Sequence, residues 1–198
     1  MGGKCTTLNQ TEADLAFIDD ITATATEINN GVDNSVQAAK VTPSSVITAS
    51  AASVQTSVIQ TGNIIKTEIA IDLTGLKSTA TGGDIIGDTG VSYIGQITTA
   101  INGVIVKGIV SSGEVPTTGD DDIDLYSATE ATGAYDGAIG SLTETALMTA
   151  AAAFAIGTDH PLTALPAANQ YLYLTTGATT AGTYDAGKLL IELWGTVA

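Results

Sequence analysis

Apolar residues at every second position limit most strongly what this chain can fold into. Glu68-Ile69-Ala70-Ile71-Asp72-Leu73 places Ile69, Ile71 and Leu73 on one side of an extended strand. A helix would scatter the same residues around its circumference. Further strands are predicted over residues 92–100, 104–110, 123–126, 170–175 (QYLYLT) and 188–194 (KLLIELW). Asn102-Gly103, set among β-branched residues, predicts a hairpin turn between the strands at 92–100 and 104–110. Gly-rich or acidic loops are expected at 76–90 and 111–122. One helix is expected over 146–154, behind the capping box Ser141-Leu142-Thr143-Glu144. Residues 67–198 therefore predict a mainly β body, an antiparallel β-sandwich or jelly-roll-like fold with six or seven strands and one short helix.

The first third of the chain reads differently. Ile18, Ile21, Ala25, Ile28 and Val32 follow the 3-4-3-4 spacing of a narrow coiled-coil seam. Thr11 with Asp14 marks a helix start, and Asn29-Asn30-Gly31 a stop. Threonines at 22, 24 and 26 weaken the helix, which must pack either on its own domain or on copies of itself. The five seam residues are the candidate oligomer interface. Residues 34–66 carry only Lys40 and Lys66 as charges, and Pro43 blocks a continuous helix. That stretch is expected to be an extended arm docked on a neighbour, or a segment kept disordered by its composition. The division expected is thus 1–66 for assembly, helix then arm, and 67–198 for the body.

Reactive side chains are scarce. There is no arginine, one histidine (His160), one cysteine (Cys5), and six lysines against twenty-one carboxylates, for a net charge of −15. Such a surface repels phosphate, so a nucleic acid partner is not expected. A single cysteine excludes an intrachain disulfide framework. Self-association would need an uncharged, apolar or hydroxyl-rich contact.

No secretory signal is expected, because residues 1–10 lack an apolar stretch. The apolar run 145–157 is too short to span a bilayer, so no membrane partner is expected. Met1-Gly2-Gly3-Lys4-Cys5-Thr6 fits the N-myristoylation pattern, although an ordinary N-terminus is the reading preferred.

Candidate chemical sites weigh toward structure. Asp120-Asp121-Asp122 with Asp124 is the densest charge, but it lacks the ligand order and glycine of a calcium loop and reads as solvated loop charge. Asp84, Asp88 and Glu114 join it only if the fold brings their loops together. His160 has no patterned carboxylate or thiol partner, and Gly140-Ser141-Leu142 is not a nucleophile elbow. Gly82-Gly83-Asp84 is not a phosphate loop. Tyr171 and Tyr173 alternate with Leu172 and Leu174, the pattern of ordinary sheet packing with an amphipathic outer face. No catalytic residue, metal site or cofactor is expected.

Residues 22–33 (TATATEINNGVD) resemble the "T-A-x-E-I/L-N-x-x-D" segment near trimerising stretches of tailed-bacteriophage structural proteins. Residues 122–133 (DIDLYSATEATG), with 171–174 (YLYL) and 182–188 (GTYDAGK), are similar to segments of virion structural proteins from marine and cyanobacterial phages. The resemblance implies a homotrimeric virion surface component without enzymatic activity: a capsid decoration (cement) protein on the major capsid protein, or a fibre module that binds a host receptor or glycan. A long fibre shaft would carry repeats or an extended heptad run. One short seam favours the compact decoration protein.

Overall fold

The computed structural model describes residues 38–39, 53–150 and 153–197. The candidate seam at 11–33 lies outside them. The described strands are β1 (Ala38–Ala39), β2 (Ser53–Thr61), β3 (Ile64–Asp72), β4 (Lys77–Ser78), β5 (Gly95–Gln96), β6 (Val104–Thr117), β7 (Ile123–Ala128), β8 (Glu144–Met148), β9 (Asp159–Pro161), β10 (Tyr171–Thr176), β11 (Gly182–Thr183) and β12 (Ala186–Thr196). A single helical turn, α1 (Thr99–Asn102), precedes β6.

The strands form a six-stranded sheet ordered β1-β2-β3-β12-β6-β9 and a four-stranded sheet ordered β5-β10-β7-β8, with β4 and β11 as a small separate pair. Every pairing between these strands is antiparallel. Alternation works as the sequence predicts. Ile69, Ile71, Leu189, Ile191 and Leu193 from the first sheet meet Ile123, Leu125, Leu147, Leu172 and Leu174 from the second in one buried core. The fold is therefore a mainly β, antiparallel sandwich. Each fully buried Ile or Leu contributes about 1.5–3 kcal/mol of gross stabilisation.

Three local expectations are corrected. The helix expected over 146–154 is replaced by β8, whose Glu144, Thr145 and Ala146 pair with Ala128, Ser127 and Tyr126. The Ser141 hydroxyl donates back to the Ala138 carbonyl, inside a 3-10 turn at Ile139–Ser141, so the capping box does not form. Burying Leu147 and Met148 against the sandwich outweighs the helix preference of an alanine-rich stretch.

Asn102-Gly103 is not a hairpin. Asn102 ends α1, and Gly103 caps it at φ 70°. The Asn102 side chain accepts the Thr98 N–H and donates to the Thr67 hydroxyl, which fixes the helical turn at the end of the sheet. Of the strand expected at 92–100, only β5 forms.

The third concerns the expected 66/67 boundary, which falls inside β3. Residues 53–61, expected to be part of the arm, pair along the whole of β3 from Ser53–Asp72 to Thr61–Ile64. They belong to the body's larger sheet.

Candidate functional site

The outer face of the six-stranded sheet can be read row by row from the register. The last row runs Thr61, Ile64, Thr196, Val104, and the row behind it runs Ile59, Lys66, Trp194, Lys107. Ile105 points inward and is buried, whereas Val106 is the extra residue of a bulge between the Ile105–Gly195 and Lys107–Trp194 pairs. The bulge leaves Val106 and Lys107 exposed in succession.

Of the eight large hydrophobic side chains exposed among the described residues, five gather here: Ile64 (46%), Ile101, Val104 (51%), Val106 (53%) and Val197. The Val197 N–H donates to the Asn63 carbonyl, which ties the chain's end to the β2–β3 turn. A cluster of this kind, in a chain with a charge of −15, is a stronger signal than scattered exposed residues.

Close backbone approach builds this corner. A methyl group at Gly195 would lie 1.9 Å from the Asn102 carbonyl oxygen, and one at Gly103 would lie 2.5 Å from the Thr196 carbonyl oxygen. Only glycine lets α1 press onto β12 and deliver Val104 beside Thr196.

Two lysines flank the Trp194 ring at this end. Lys66 lies 5.5 Å and Lys107 4.7 Å from the Trp194 ring centroid, one on each neighbouring strand. Lys66 also pairs with Glu192 and, at 2.8 Å, with Glu68. Those two carboxylates, Glu192 first, hold its ammonium above the ordinary lysine value. Lys77 and Lys188 are paired with Asp88 and Glu114. Lys107 is therefore the one described lysine without a carboxylate partner, and it stands on the exposed, apolar edge.

Beside this edge no described strand continues the sheet. β9 pairs with β6 only at Ile109, Val110 and Ser111, and the Leu162 N–H then closes on the Gly108 carbonyl. The chain turns away, with the Thr163 N–H bonding to the Leu147 carbonyl. Residues 104–107 keep a free edge among the described residues.

The sites singled out in the sequence resolve into structure. Ile18, Ile21, Ala25, Ile28 and Val32 lie outside the described residues. Asp120 is fully buried rather than solvated: its carboxylate accepts the Asp122 N–H at 3.1 Å and the Ala178 N–H at 2.9 Å. The Tyr184 hydroxyl donates to its carbonyl, and burial pushes that phenol's pKa up. Asp124 accepts the Ala150 N–H at 2.8 Å, and its pKa is raised by burial first and then by Asp122 and Asp120. Asp84 accepts from the Thr79 hydroxyl, apart from Asp88 and Glu114, which hold lysines. Among the described residues no group of three acidic, histidine or cysteine side chains is arranged to hold a metal.

His160 packs its ring 4.6 Å from Phe154, and its Nε2 has no hydrogen-bond partner among the described residues. Tyr173 is buried, donating to the Glu130 carbonyl and accepting the Gly133 N–H. Tyr171 lies partly exposed beside Tyr93, with ring centroids 4.9 Å apart. Among the described residues no helix is long and apolar enough to cross a membrane.

Sequence reasoning missed the apolar sheet end. Its members are spread over Ile64, 101–106 and 194–197, and only the antiparallel register brings them together. The signal present in the sequence was the uncharged run around Val104 in a strongly acidic chain. Comparison with protein families, with curated proteins and with solved structures returned no match to this chain.

Proposed function

We propose that this is a non-enzymatic structural protein of a phage virion, a capsid decoration (cement) protein that docks on the major capsid protein at the head surface as a homotrimer. The observation that carries the docking role is the apolar outer end of the six-stranded sheet, flanked by Lys66 and Lys107, in a chain with a charge of −15. A contact of this kind buries Val, Ile and Trp surface beside carboxylates that Lys66 already neutralises, Glu68 and Glu192, which favours adhesion to another protein. The virion assignment rests on the resemblance of residues 22–33, 122–133, 171–174 and 182–188 to phage structural proteins, and the trimer on the seam from Ile18 to Val32. Burial of Asp120 and Tyr184 as scaffold, and the packing of His160 on Phe154, fit a protein whose polar groups hold the fold rather than perform chemistry. No nucleic acid, membrane or cofactor enters this reading.

A fibre module that binds receptor or glycan is the second reading. The partly exposed Tyr93–Tyr171 pair favours it, since sugars stack on such rings.

Quantitative mass spectrometry of purified particles tests the assignment. Copies comparable in number to the shell subunits support decoration, and a small set of copies supports a fibre. Absence from the particle overturns both.

A further inference from the structure

We propose that the free edge of β6 at residues 104–107 accepts an added β-strand from a different protein, and that this strand is apolar with a carboxylate set against Lys107. The inference rests on reading the sheet end as a docking surface and names the chemistry of what docks. Three observations carry it. The edge has no strand beside it among the described residues, because β9 ends at Pro161 opposite Ile109 and the chain leaves after the Leu162 N–H closes on the Gly108 carbonyl. Val104 and Val106, both about half exposed, stand on that edge ready to pack against alternate side chains of an incoming strand. Lys107 alone among the described lysines lacks an acidic partner and is steadied over Trp194.

The same features argue against a second copy as the occupant. Natural sheets blunt their edges against self-pairing with a lysine and a bulge, and β6 carries both at Val106–Lys107. Two copies pairing through this edge would bring two unneutralised ammonium groups together and would appose two bodies of charge −15. An extended segment with a carboxylate converts the lysine from a guard into a contact, adding main-chain hydrogen bonds along the edge and an ion pair at its end.

Trp194 is the only tryptophan, so its fluorescence reports this edge alone. The full-length protein is titrated with two blocked heptapeptides, TVTIEIT and TVTIKIT, neither of which contains an aromatic residue. The Glu peptide is expected to shift Trp194 emission and to bind about fivefold tighter than the Lys peptide. The exposed-site variant Lys107→Glu is expected to reverse that order. Equal affinities, no response to either peptide, or an unreversed order in Lys107→Glu overturns the proposal. A concentration-dependent Trp194 shift without peptide also overturns it, by assigning the edge to a second copy. The virion role is read separately by copy number in particles. A chain found in particles that shows no peptide preference loses only the strand addition, and a chain absent from particles that shows the preference loses only the virion role.

Discussion

The ammonium of Lys107 stands 4.7 Å from the centroid of the Trp194 ring, on the opposite side of β12 from Lys66 at 5.5 Å. The indole thus sits between two cations on the outer face of the sheet, one of them (Lys66) shared with Glu68 and Glu192 and the other (Lys107) free of a carboxylate.

Lys107→Ala should therefore lower stability by only about 0.5–1 kcal/mol, the worth of an exposed cation–π contact. Lys66→Ala should cost more, because Glu68 and Glu192 then face each other without their shared counter-charge. Urea unfolding of the two variants followed by far-UV circular dichroism checks the order.

Asp124 should make stability depend on pH. Its folded pKa is raised, by burial first, above the ordinary carboxylate value of about 4. From about pH 4 up to that raised value the folded state keeps a proton the unfolded chain has released, so stability falls as pH rises through this window. At neutral pH the half-buried charge is a standing cost. Asp124→Asn keeps an acceptor for the Ala150 N–H and removes the charge beside Asp120 and Asp122. Its urea midpoint should lie above that of the parent protein at pH 7, and the gap should close below about pH 4.

Asp120 should behave in the opposite way on truncation. Asp120→Ala leaves the partly buried N–H groups of Asp122 and Ala178 without their acceptor and opens a void at a fully buried site, a loss of about 3 kcal/mol. Equilibrium unfolding measures it, and a loss below about 1 kcal/mol would mean that the two N–H groups find other partners.

Glycine at 195 should be irreplaceable and glycine at 113 dispensable. A methyl at 195 would meet the Asn102 carbonyl oxygen at 1.9 Å, whereas one at 113 finds nothing nearer than 3.8 Å. Gly195→Ala should cost about 3 kcal/mol and loosen α1, and Gly113→Ala should stay within about 0.5 kcal/mol. Thermal unfolding of the pair checks both.

How much of this was legible in the sequence depended on range. Strands with strict alternation, β3 and β12, were legible because each buries one alternate set on a shared core, and β10 was legible from its β-prone YLYL run although both its faces are buried. The alanine-rich stretch after Ser141 misled because helix propensity is local, while Glu144–Met148 gains more by pairing with β7. Asn102-Gly103 misled for a related reason: the Asn102 side chain reaches Thr67, thirty-five positions away, and that bond selects a helix end over a hairpin. The sheet end was illegible because Ile64, Val104 and Val197 become neighbours only through the pairing of β3, β12 and β6.

Docking through the outer end of the six-stranded sheet is tested most directly by hydrogen exchange on the protein bound to particles and free in solution. Docking predicts that amides at 104–107 exchange more slowly on the particle, with those at 113–115 and 117, at the far end of β6, unchanged. Equal exchange at 104–107 in the two states would contradict it.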